Sequence, residues 1–208
     1  MMRNRNKKKI AIATMLVALI SGEALAVEEA QYEVIEKDAI IEIRSYAPSI
    51  VAETVVYDEF EDAGNRAFKK LFKYISGDNT GRDRIAMTAP VAQEKKSEKI
   101  AMTAPVGQQS NDGGWAVSFM MPSGYTMETI PEPDDPDVVL RNIPAYRAAA
   151  IRYSGFWSEE KYLEHLEQLQ AWIERNQLEA AGEPIWARYN APFTPWFMRR
   201  NEILIPLM

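Results

Sequence analysis

The chain has 208 residues, 47% hydrophobic and 26% charged, with a formal net charge of −6 and no cysteine. That composition excludes a disulfide framework and a lipidated-cysteine anchor, and its acidity argues against nucleic acid or an anionic membrane surface as partner.

At the N-terminus, Arg3, Arg5, Lys7, Lys8 and Lys9 precede an apolar run from Ile10 to Ile20 broken by Thr14, and Ala24-Leu25-Ala26 supplies an A-x-A cleavage site. This is the pattern of a secretory signal peptide over residues 1–26. Cleavage after Ala26 leaves 182 residues, 27–208, the length of a single domain. The removed segment carries five basic residues and one acid, so the charge moves from −6 to −10. The expected address is the periplasm. An uncleaved anchor is the alternative, although the run is short against the roughly 20 apolar residues a membrane helix needs.

Beyond the leader, Tyr32 to Glu36, Ala39 to Tyr46 and Ser49 to Val56 alternate and are β-branched, predicting strands with a turn at Lys37-Asp38. From Asp58 the period changes. Phe60, Ala63, Gly64, Ala67, Phe68, Leu71, Phe72 and Ile75 fall at the spacing of an amphipathic helix, with acids in its first turns, lysines in its last and Gly77 as its stop. Next comes a phrase stated twice, Ile85 to Val91 and Ile100 to Val106, seven residues identical at an offset of fifteen. Each copy alternates large and small side chains and closes on a proline, which predicts a hairpin with Val91 opposite Ile100 and Ile85 opposite Val106. Its Met87 and Met102 face is either ordinary core or a ligand wall.

Trp115 to Met121 reads as a third strand completing a meander, and Ile130 to Asp137 as a proline-rich, solvated connection. Val138 to Ile143 and Ala145 to Ser154 are strands. A second helix opens at Ser158, with Tyr162, Leu166, Leu169 and Ile173 as its stripe and Leu163 and Trp172 widening it. Strands at Ile185 to Tyr189 and Ile203 to Leu207 close the chain around a loop at Asn190 to Pro195. Both halves run strand, strand, helix, strands. This predicts a pseudo-two-fold α+β domain, two helices on a twisted, mostly antiparallel sheet, with a ligand cleft between helices and sheet.

Several motifs in fixed order resemble the SOUL haem-binding family across nearly all of residues 32–207. They are the Met-Thr-Ala-Pro-Val phrases at Met87 and Met102, Phe119-Met120-Met121-Pro122, Ser154-Gly155, Tyr189-Asn190-Ala191-Pro192 and Arg199-Arg200-Asn201-Glu202. The resemblance implies two β-α-β-β halves forming a distorted barrel flanked by two helices, with a tetrapyrrole bound in an apolar pocket beside the first helix. It also implies that Lys73-Tyr74 matches a pair at the end of the pocket helix and that Phe68 is an apolar pocket residue. Asn65 stands where relatives place a basic residue, with Arg66 adjacent. The histidine some members place near the second strand is absent.

Haem held without a ligating side chain needs a large apolar wall and cations for its propionates. Phe68, Phe72, Met87 and Met102 are candidates for the wall, and Lys73, Lys69 and Arg66 for the carboxylates; each has an alternative as ordinary core or solvated helix face. The lone His165, on the second helix, is a candidate axial ligand, as are Met87 and Met102. Covalent haem is excluded by the absence of Cys-x-x-Cys-His. No Gly-x-Ser-x-Gly elbow and no clustered metal ligands are present, so a non-enzymatic carrier, buffer or scavenger of haem is the expected function. A small-ligand or protein-interaction module with incidental haem affinity is the alternative, with a carboxylate-based hydrolase behind it.

Overall fold

The computed structural model describes residues 27–82 and 97–208; the leader, and the first copy of the repeated phrase with Met87, lie outside them. In chain order come β1 (Glu28–Glu29), β2 (Tyr32–Asp38), β3 (Ile41–Tyr46), β4 (Ser49–Val56) and α1 (Phe60–Ser76). They are followed by β5 (Asn79–Thr80), β6 (Thr103–Ala104), β7 (Val106–Asn111), β8 (Gly114–Met120) and β9 (Glu132–Pro133). The rest comprises β10 (Val139–Ile143), β11 (Tyr146–Tyr153), α2 (Glu159–Arg175), β12 (Ile185–Arg188), a 3-10 turn at Trp196–Met198 and β13 (Asn201–Leu207).

Nine strands form one curled antiparallel sheet in the order β10-β4-β8-β7-β12-β13-β11-β3-β2. The two-fold expected from the sequence is visible in that order, with its centre between β7 and β12. Each half contributes a strand pair, a helix and a second strand pair, and the first strand of each half crosses over to pair with the second strand of the other. Hence Ile143 lies opposite Ser49, and Tyr146 opposite Tyr46. The prolines Pro48 and Pro144 sit in the two matching connections, where a missing N–H costs no ladder bond.

Both helices lie on one face of the sheet, and each packs on its own half. α1 presents Ala67, Leu71 and Ile75 to Ala52, Val117 and Phe119. α2 presents Tyr162, Leu169, Trp172 and Ile173 to Ala149, Ile151, Trp186 and Ile203. Burying each large apolar side chain of this kind stabilises by about 1.5–3 kcal/mol. The predicted caps are present: Ser158 accepts from the Lys161 N–H, and Gly77 takes φ 125° to end α1.

Three expectations are corrected, and the hairpin partner expected for Val106, Ile85, lies outside the described residues. Val106 itself is flanked by Phe119 on one side and Arg188 on the other. The second copy of the phrase runs parallel to the start of the described chain, with Thr103 beside Glu28 and Ala104 beside Glu29. The connection after Ile130 is not simply solvated: Ile130 and Val138 are buried under α1, and the Tyr74 hydroxyl donates to the Pro131 carbonyl at 2.8 Å. Leu163 is 52% exposed and does not widen the α2 stripe, whereas Trp172 does. The first turn also falls later than expected, at Ala39-Ile40 with Ala39 at φ 53°.

Candidate functional site

A cavity of about 720 Å3 opens beside α1 on the helix-bearing face, a size within the range of roughly 300–1,000 Å3 usual for small-ligand pockets. One wall is α1 itself, through Gly64, Phe68 and Phe72. The opposite wall is the second copy of the repeated phrase, from Met102 to Ala104, continuing to Val106 on β7. Trp157, Arg188 and the loop from Tyr189 to Phe193 close the third side.

The apolar wall follows from helix geometry. Phe68 and Phe72 are four residues apart, so their rings lie on one face and stack with centroids 5.8 Å apart, while Phe68 meets Phe119 of β8 edge-on at 5.2 Å. Phe72 remains 49% exposed at the cavity mouth. Small side chains at Ala63, Gly64 and Ala67 bring the α1 backbone close to the sheet. An added Cβ at Gly64 would stand 2.8 Å from Gln108 Oε1 and 3.0 Å from an Arg188 nitrogen. A glycine inside a helix costs about 0.5–1 kcal/mol relative to alanine, and here it makes room for the Arg188 guanidinium.

Arg188 is the group no sequence pattern marked. It ends β12, and its guanidinium lies 4.8 Å from the Trp186 ring centroid and 5.6 Å from that of Trp157. Its side-chain contact is a long 3.4 Å bond from Nη2 to Gln108 Oε1, and Nε is sealed from solvent without a partner. No carboxylate among the described residues pairs with it. Burial alone pulls its pKa down to about 10, the Tyr153 phenol opposing weakly. Trp157, also unmarked, donates from its indole to Asn201 Oδ1 at 2.9 Å and stacks under Arg199 at 4.3 Å.

Of the residues expected at a site, the cavity brings together Phe68, Phe72, Met102, Arg66 and Lys69. Arg66 is 69% exposed and pairs with Asp58 at 2.8 Å. Lys73 lies on another side of α1, in a small polar hollow with Lys70, Asp134 and Asp135. His165 is on α2, away from the cavity lining: its ring stacks on Tyr153 at 3.9 Å, and Nδ1 lies 2.8 Å from the Lys161 carbonyl. No cluster of three or more metal-binding side chains occurs among the described residues, and no described helix is long and apolar enough to cross a membrane.

A family model for the SOUL heme-binding protein matches residues 27–206. Heme-binding protein 1 of Mus musculus is 25% identical over 148 residues, covering 69% of this chain and 70% of that protein. Among solved structures, the C-terminal domain of EcmrR aligns over 85% of this chain and 98% of its own, with a TM-score of 0.58 at 11% identity. A hydrolase from Listeria innocua aligns over 84% of this chain and 94% of its own, with a TM-score of 0.51 at 12% identity. At those identities both speak for the fold alone.

Proposed function

The chain belongs to the SOUL heme-binding protein family, and from that premise we propose that it is a non-covalent haem carrier, buffer or scavenger whose site is the α1 cavity. One observation supports this site: a cavity of about 720 Å3 with an aromatic and thioether wall has a half-buried cation, Arg188, at its side. The donor set suits a tetrapyrrole. Phe68, Phe72, Met102 and Val106 offer the apolar surface against which a large flat ring loses water, and burial of that area is the main favourable term. Lys69 at the rim supplies positive charge for ring carboxylates, beside Arg66, which is paired with Asp58. Haem, when bound, supplies a redox-active iron; the protein's part is to bind the ring, orient it and shield one face from water.

The Met102 thioether stands on the cavity wall, where His165 does not. The basic n-region, apolar run and A-x-A site of residues 1–26 support the periplasm as the working compartment. The proposed role is non-enzymatic.

Titration of the purified protein with haemin tests the reading, followed by absorbance and by quenching of tryptophan fluorescence. Saturation at one haem per chain is expected. Phe68→Glu should abolish it by placing a charge against the ring, and His165→Ala should leave the Soret position unchanged. Loose uptake at many sites, indifferent to Phe68→Glu, would instead favour an interaction module with incidental haem affinity.

A further inference from the structure

Arg188 presents an energetic puzzle. Half-buried, with its Nε sealed from water, it is a cation without an acid, and charges withdrawn from water are ordinarily paired. Elsewhere the chain observes that rule: Arg44 and Arg200 both reach Glu202. At Arg188 it does the opposite. A helix-interior glycine clears the space, Gln108 is held by its own 2.7 Å bond to the Phe60 carbonyl, and two indoles flank the guanidinium. The group is therefore fixed in place by its surroundings while Nε has no acceptor and Nη2 has only one long bond to an amide, at the wall of an apolar cavity.

We propose that the cavity selects amphipathic anions, with an acidic oxygen group of the ligand entering inward to pair with Arg188 while its apolar body lies on Phe68, Phe72 and Met102. This rests on the reading above for the location of the ligand, and it names the chemistry that the site recognises. A planar guanidinium presents paired N–H donors that match a carboxylate, so one such contact both anchors and orients the ligand. In a haem, that group is a propionate. Arg66 is already taken by Asp58 and Lys69 is exposed on α1, so the cation without an acid partner on the sheet side of the cavity is Arg188. Filling the site also relieves the cost of the lone charge, and the affinity gained should show as an unusually large rise in melting temperature on binding.

The test compares three probes on the purified chain and on Arg188→Met: haemin, haemin dimethyl ester and 8-anilinonaphthalene-1-sulfonate, an apolar anion unrelated to tetrapyrroles. Wild type should bind haemin at least about tenfold more tightly than the ester, as one charge-assisted contact implies. Arg188→Met should lose that preference, binding haemin and ester alike, and should weaken the sulfonate by a similar factor. Its melting temperature without ligand should equal or exceed that of wild type, since an uncompensated charge has been removed. Haemin affinity unchanged in Arg188→Met, or a variant melting several degrees lower, would overturn the proposal by making Arg188 a packing residue. If the sulfonate binds in an Arg188-dependent way but haemin does not saturate, the anion site stands and the haem reading falls. If haemin and its ester bind one to one and equally well to wild type, haem stands and the anion site falls.

Discussion

Two charges, one buried and one half-buried, lie one residue apart across the β12–β13 ladder, and they are treated in opposite ways. Ala187 pairs with Glu202 and Arg188 with Asn201, so Glu202 and Arg188 project from opposite faces of the sheet. On the face away from the helices, Glu202 is 0% exposed and fully answered: Arg44 contacts it at 2.6 and 3.2 Å, Arg200 at 2.9 Å and the Tyr189 hydroxyl at 3.0 Å. On the helix-bearing face Arg188 has one long bond to an amide. The first arrangement locks β3 to β13 across the second half of the sheet, and the second leaves a charge waiting in a cavity. Satisfied and unsatisfied burial on neighbouring residues separate what holds this fold from what equips it to bind.

The sharpest way to break the comparison is to unbalance its satisfied side. Glu202→Gln removes the buried carboxylate that Arg44 and Arg200 share and leaves them only the more exposed Glu42 and Glu29, and breaking a buried pair typically costs about 3–5 kcal/mol. Urea unfolding at neutral pH should show that loss, with no matching loss in Arg188→Met. The same contrast has a pH signature. Burial pushes the Glu202 carboxyl up, but its bond to Arg44 and the charges of Arg44 and Arg200 outweigh burial and hold it below the ordinary 4.5. A depressed carboxyl contributes stability that is present above the unfolded value and is lost as pH falls through the folded one. Wild type should therefore lose stability below about pH 4.5 more steeply than Glu202→Gln. Parallel acid curves for the two proteins would show that the cluster does not set acid stability.

A smaller effect is expected from the seat of the unsatisfied charge. Gly64→Ala gains about 0.5–1 kcal/mol of helix propensity but brings a methyl to 2.8 Å from Gln108 Oε1 and 3.0 Å from Arg188. Overpacking of this kind costs about 1–3 kcal/mol, so a net destabilisation near 1 kcal/mol is expected, with haemin affinity falling because the guanidinium is displaced. A variant that is more stable and binds haemin as well as wild type would show that the close approach serves no ligand.

How legible these two regions were in the sequence follows from the range of the interactions that make them. Both helices, their caps and strands β3 and β4 follow from local periodicity and matched the structure closely. β7 did not, because Gly107-Gln108-Gln109-Ser110 carries no apolar alternation; Gln108 is buried by virtue of its bond to Phe60, a partner 48 residues away. A signal was available in Asp112-Gly113, which take φ 41° and 82° at the hairpin tip, the turn chemistry that Asp-Gly favours. At the site, Phe68 and Phe72 could be placed together by helical spacing. The same spacing separates Lys73, which at about 100° per residue lies roughly 140° around α1 from Phe68. Arg188 was illegible for a different reason: whether an arginine finds an acid is decided by the tertiary structure, and nothing local marks one that does not.

The mildest perturbation tests the cavity without touching either charge. Phe72 contributes to the wall with 49% of its surface still in water, and its main contact is the stacked ring of Phe68. Truncating a half-exposed ring at a cavity mouth removes little burial, so Phe72→Ser should change stability by no more than about 0.5–1 kcal/mol. If the cavity is where haem lies, the lost surface should still be felt on binding. At about 25 cal/mol per Å2 of apolar area, one aromatic wall residue is worth roughly tenfold in affinity. Haemin and its dimethyl ester should be weakened equally, because the ring and not the carboxylate has lost its contact. The opposite pattern, in which only the free acid is weakened, would mean that Phe72 acts by excluding water from Arg188, and the apolar and ionic parts of the site would then be a single unit.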